Sequence, residues 1–144
     1  MTKTSTLKTS LILGVAVTVC TQLANPTFAQ NNPRSGFQTI KVPEFISSNK
    51  IKVSTPKALA VQLYGDDQDQ EGRKSEDISV AYPTRETSTI VHTVVGLADD
   101  SVAALRQRID LRRTSNKWEI VWVGRQSKCQ PGRGHQDWSA KSCV

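Results

Sequence analysis

The chain has 144 residues, 37% of them hydrophobic and 22% charged, with a formal net charge of +6. That length bounds it to one domain with a modest core. The mild charge lacks the dense basic footprint of a nucleic-acid-binding domain, so nucleic acid is excluded as the expected partner.

Residues 1–29 read as a secretory signal. Lys3 and Lys8 precede the apolar run Leu11 to Val19, and Thr27-Phe28-Ala29 makes a small-x-small cleavage site. The run breaks at Cys20-Thr21-Gln22, short of the roughly 20 apolar residues that span a bilayer. Cys20 raises lipoprotein processing as an alternative, but Val19 is too bulky for the residue before a lipidated cysteine. The expected mature chain starts at Gln30 and keeps 17 Lys/Arg against 13 Asp/Glu, a charge of +4. Export implies a periplasmic or extracellular location, where an oxidising environment permits a disulfide.

Residues 30–36 are polar and turn-rich, which predicts a flexible leader before a single domain over 37–144. Thr55-Pro56 signals a helix start, a capping hydroxyl followed by proline at the first helical position, and Gly65 signals its stop. Leu59 and Leu63 share one face of this helix and suit packing on a sheet. The stretch 65–77 is too polar to bury and reads as a solvent loop. Asp67, Asp69, Glu71 and Gly72 fall where the first half of a calcium loop places ligands and its glycine. Ile78 stands where the chelating glutamate belongs, so no calcium is expected.

Four strands are predicted next: Ile78 to Tyr82, Thr89 to Leu97, Val102 to Arg113 and Lys117 to Arg125. A two-residue turn at Ser115-Asn116 sets Arg112 opposite Glu119, Leu111 opposite Ile120 and Ile109 opposite Trp122. A turn at Asp99-Asp100 sets Val94 opposite Leu105 and Ile90 opposite Ile109. The expected core face is then Ile90, Val94, Leu105, Ile109, Leu111, Ile120 and Trp122. Asp99-Asp100-Ser101 is also able to cap a helix through Val102, Leu105 and Ile109. The alternation of Leu105, Ile109 and Leu111 with Arg106, Arg108, Asp110 and Arg112 favours the strand. The expected fold is α+β: a short helix packed on an antiparallel meander of about four strands, with a disulfide-closed C-terminal loop. As architecture alone, this layout resembles cystatin-like and nuclear-transport-factor-like folds, which fixes no function.

The same registers place His92 beside Gln107, and Gln107 beside Gly124, on the core face. That polar row predicts either mutual satisfaction or a small pocket between sheet and helix. No serine, cysteine or carboxylate is placed by the sequence to complete a catalytic group with His92. Arg106, Arg108 and Arg112 are expected as a stripe on the opposite face with Arg125 beside Arg106; no exposed aromatic alternates with them.

After the signal, Cys129 and Cys143 are the remaining cysteines and flank a turn-rich segment, which predicts a disulfide worth about 3 kcal/mol. His135 alone lies near them, without the paired spacings of a zinc site, so no metal is expected. Pro131-Gly132 makes a turn, Trp138 is expected to fold over the sheet end, and Arg133, His135 and Asp137 to fix the loop. The run Cys-Gln-Pro-Gly-Arg-Gly-His-Gln-Asp-Trp, preceded by Trp118 to Gln126, resembles the ending of a group of short, exported, uncharacterised bacterial proteins. The resemblance covers Pro56 to Cys143 and implies a domain type, with no catalytic residues.

The functional expectation is an exported, non-catalytic binding or structural-support domain, a monomer needing no cofactor. Its candidate binding residues are Arg133, His135 and Trp138 on the loop and His92 and Gln107 on the sheet, with an envelope glycan, peptide or exported protein as partner. The alternatives are a small extracytoplasmic hydrolase using a pocket near His92, and an inhibitor or accessory subunit of an exported enzyme.

Overall fold

Ser115 and Asn116 both adopt positive φ, 47° and 67°, the two left-handed residues of a type I′ hairpin turn. This turn joins strand β4 (Val102–Thr114) to β5 (Lys117–Cys129). The structure is a computed structural model that describes residues 32–52, 54–65 and 72–144. The expected signal, residues 1–29, and Asp67, Asp69 and Glu71 lie outside the described residues. The remaining elements are β1 (Gln38–Ile40), α1 (Val42–Ser48), α2 (Pro56–Tyr64), β2 (Ser75–Thr84) and β3 (Thr87–Val95). The five strands form one antiparallel sheet in the order β1-β5-β4-β3-β2. The fold is α+β and carries the Cys129–Cys143 disulfide. It has a second helix and a fifth strand that the sequence reading lacked. No helix among the described residues is long and apolar enough to cross a membrane.

Helix α2 starts and stops where its signals stand. The Thr55 hydroxyl accepts from the Ala58 backbone at 3.1 Å, Pro56 sits in the first turn and Gly65 is the C-cap. Helix α1 has Pro43 in its first turn but no side-chain cap, so the start signal was half missing. At the other helix candidate, the Asp99 carboxylate accepts from the Ser101 and Val102 amides at 2.8 and 2.6 Å. The chain then extends as β4, so this aspartate closes a turn and caps no helix.

Near the hairpin, Arg112 pairs with Glu119 and Leu111 with Ile120. Asp110, however, pairs with Trp122, which makes Val121 an extra residue on β5. This bulge reverses the faces of everything after it. Ile109 faces Val123, not Trp122, and Val123 is fully buried. Trp122 points to the opposite face, where its ring lies over Gly124; a Cβ there would come within 2.3 Å of the indole. Gln107 pairs with Arg125 instead of Gly124, and Arg125 leaves the outer stripe for the helix side of the sheet.

The core lies between that side and the helices: Phe45 of α1 and Leu59 and Ala60 of α2 pack on Ile90, Ile109, Leu111, Ile120 and Val123. Burial of each large aliphatic side chain contributes about 1.5–3 kcal/mol. Leu105, expected in this core, is 43% exposed, because the helices end before they reach it. Strand β2 begins at Ser75, so the loop expected over 65–77 gives its last three residues to the sheet.

Residues 33–37 pack on part of the outer face. Arg34, placed by sequence in a flexible leader, donates from Nε to Asp110 at 2.6 Å and lies 5.1 Å over the Trp122 ring. Arg108 holds the other Asp110 oxygen at 2.8 Å and reaches the Pro33 carbonyl at 3.3 Å. Phe37 meets Trp122 edge-on at 5.7 Å.

Candidate functional site

Helix α2 ends by delivering Tyr64 onto the sheet. Its ring stacks on His92 with centroids 4.0 Å apart, and its hydroxyl donates to Gln107 Oε1 at 2.6 Å. Burial pushes the Tyr64 phenol well above its ordinary value, so it stays protonated and remains a donor. His92 and Gln107 are cross-strand partners, in the register expected, but they do not satisfy each other. Gln107 is taken by Tyr64, and His92 Nε2 lies 2.6 Å from Glu76 Oε1.

Glu76 is the carboxylate that sequence reading missed. Ile78 pairs with His92, so Glu76 is its diagonal neighbour on the same face, within reach of a long side chain. Extending the β2 alternation back through Asp77 and Glu76 was the available signal; their polarity assigned them to the loop. Glu76 is also paired with Arg73, which offsets its charge.

These groups form a polar floor where the helical cover stops. Beyond it opens a hollow of about 320 Å³, lined by Ile40, Val94, Leu97 and Leu105 with His92, Gln107 and Arg125. Arg106 also borders it, but its guanidinium sits on the other face, 4.2 Å over the Trp138 ring. A second hollow of about 240 Å³ adjoins the first, shares Leu105 and Arg125 with it, and continues past Ser127 and Ser139 to the end of the C-terminal loop.

The geometry offers a ligand apolar walls, amide and imidazole edges, and one guanidinium. The His92–Glu76 pair has the composition of an acid/base dyad, yet among the described residues no serine, threonine or cysteine side chain hydrogen-bonds to His92.

The loop candidates are elsewhere. Cys129 and Cys143 are bonded, with Cα atoms 5.5 Å apart, and tie the end of β5 to the C-terminus. Gly134 is required inside that loop: its φ is +133°, and a Cβ would lie 3.0 Å from the Cys129 sulfur. His135 Nδ1 lies 2.9 Å from the Asp137 carbonyl and Nε2 2.9 Å from the Lys141 carbonyl, so the ring is a strut. Gln136, absent from the sequence candidates, donates to three carbonyls, those of Cys129, Gln130 and Gly134. Asp137 contributes its backbone oxygen. Arg133 is exposed and hydrogen-bonds through its backbone, from N to the Gln130 carbonyl at 2.9 Å. Trp138 lies on the outer face between Arg106 and Lys128. Arg133, His135 and Trp138 therefore share no surface with His92 and Gln107.

Cys129, His135 and Cys143 bring three potential metal ligands within 4.8 Å of one another. The two sulfurs are bonded together and both imidazole nitrogens face carbonyls, so this arrangement offers a metal no free ligand atom. No family model, curated protein or solved structure matches the chain.

Proposed function

We propose that the protein is an exported, non-catalytic binding domain whose helix-side hollow takes a small molecule with an apolar body. The observation that carries this reading is the end of α2 at Tyr64: Leu97 and Leu105, beyond the buried Val94, continue the apolar surface of the core past the last turn of that helix, and Leu105 is left 43% exposed. Such a half-apolar concavity with a few fixed polar groups is the usual form of a small-ligand site. Export is supported by the signal-like residues 1–29 and by a disulfide that suits an oxidising compartment. The resemblance of the C-terminal segment to exported bacterial proteins points the same way.

The hydrolase reading gains a carboxylate at His92, but its imidazole is stacked under Tyr64 and has no nucleophile hydrogen-bonded to it among the described residues. The reading in which the disulfide loop contacts a partner enzyme rests on Arg133 alone among the loop candidates, since His135 and Trp138 are engaged within the fold.

The test is a fragment screen against the oxidised protein followed by amide chemical-shift mapping. Hits are expected to perturb Val94, Leu105 and Gln107, and Leu105→Glu to abolish them. Perturbations confined to residues 129–144 would overturn the assignment of the hollow and favour the loop. Turnover of any bound ester or glycoside that is lost in His92→Ala would establish the enzyme instead.

A further inference from the structure

Resting on the reading of the hollow as a small-molecule site, we propose that its ligand is an anionic amphiphile whose carboxylate or phosphate head docks on Arg125. Arg125 and Leu105 join the two hollows, and Arg125 is the charged one of the pair, lining the apolar hollow and the serine-rich one alike. Its inward position follows from the bulge at Val121, without which it would lie on the outer face. Gln38 on the neighbouring strand accepts from its Nε at 2.8 Å, which aims the guanidinium, and among the described residues no hydrogen bond occupies the terminal nitrogens. A planar guanidinium oriented in this way suits two-point recognition of a carboxylate or phosphate.

Charge selects the sign of the ligand. The described residues that line the two hollows include Arg125 and Lys141 and no aspartate or glutamate. Glu76, the acid behind the floor, is ion-paired with Arg73. Ser127 and Ser139 line the same hollow as Arg125; the Ser127 hydroxyl donates to the Lys141 carbonyl at 3.5 Å, and the Ser139 hydroxyl, which accepts from the Lys141 amide at 3.2 Å, keeps its proton for a ligand. Size sets the tail. At about 30 Å³ for each water-sized group, 320 Å³ holds roughly ten such groups, the scale of a medium alkyl chain or a fused aromatic.

The experiment is calorimetric titration of the oxidised protein with decanoate, decyl phosphate and 1-decanol, each below its aggregation concentration. At least one anion is expected to bind about tenfold or more tightly than decanol, as a charge-assisted contact implies. Arg125→Gln is expected to remove that preference without weakening decanol, and Arg125→Lys to restore part of it. Arg125 is exposed, so the Gln variant is expected to melt with the wild type, which is checked in parallel. The tighter of the two anions identifies the head as carboxylate or phosphate. Equal binding of decanol and both anions overturns the anion assignment and leaves the hollow as a site. An anion preference that survives Arg125→Gln overturns the role of Arg125. If none of the three binds, the proposal fails; fragments that still map to Val94 and Leu105 then keep the hollow as a site, and the absence of such fragments removes it.

Discussion

The hydroxyl of Tyr64 meets Gln107 at 2.6 Å, and this bond marks the boundary between a dry core and an open hollow. On one side, Leu59 packs against Ile90 and Ile109 with no exposure. On the other, Leu105 is left uncovered on the same sheet face. Gly65 ends α2 at this point, and the hollow lies beyond it.

Tyr64→Phe is expected to cost about 1 kcal/mol, the net worth of a hydrogen bond, because the ring keeps its stack on His92 while Gln107 loses its donor. A second consequence is pH-dependent. The folded-state value of the phenol is raised above its ordinary 10.0 by burial, so its contribution is fully present below pH 10.0 and is lost as pH rises beyond it. Urea unfolding of both proteins from neutral to alkaline pH checks this. The wild type is expected to weaken more steeply above pH 10.0 than the Phe variant, and parallel slopes would show that Tyr64 titrates normally.

The bulge makes a clear statement about two aromatic and aliphatic sites. Trp122→Ala removes an outer-face ring held by Phe37 and Arg34 and is expected to cost about 1–2 kcal/mol, below the roughly 3–5 kcal/mol of a core tryptophan. Ile109→Ala empties a fully buried position and is expected to cost about 2–5 kcal/mol. Chemical denaturation ranks them. A larger loss for Trp122 would restore the unbulged register, with the indole in the core.

Arg133 and His135 separate in the same way. His135→Ala removes the strut between the Asp137 and Lys141 carbonyls and is expected to lower the melting temperature by several degrees, on the scale of about 1 kcal/mol. Arg133→Ala is expected to leave it within the small range of exposed surface changes, about 0.5 kcal/mol. Thermal melts of the oxidised variants decide it; an equal drop for both would mean that the arginine side chain braces the loop.

The legible parts of this fold were those governed by local rules. Thr55-Pro56 and Gly65 bounded α2, Ser115-Asn116 fixed the first pairs of its hairpin, and Asp99 set Val94 opposite Leu105. Val121 was not legible. A bulge is one residue with no composition signature of its own, yet it moved Trp122, Gly124 and Arg125 to faces opposite those expected. The site was half legible for a related reason. Strand periodicity aligned His92 with Gln107, whereas Tyr64 and Glu76 arrive from a helix and from an edge strand, and their meeting depends on packing that no local pattern encodes.

Asp110 is a buried carboxylate on the outer face, 7% exposed, held by Arg34, Arg108 and the Thr89 hydroxyl at 3.2 Å. Asp110→Ala is expected to cost about 1–3 kcal/mol, because it strips the acceptor from two cations packed against the sheet. Arg34→Ala is expected to cost less, about 0.5–1 kcal/mol, since that side chain is 41% exposed and solvent screens its pair. The two changes are not expected to add: once Asp110 is gone, Arg34 has lost its anchor and its removal adds little. A double-mutant cycle by urea denaturation measures the coupling. Strict additivity would show that the segment carrying Arg34 does not rest on Asp110.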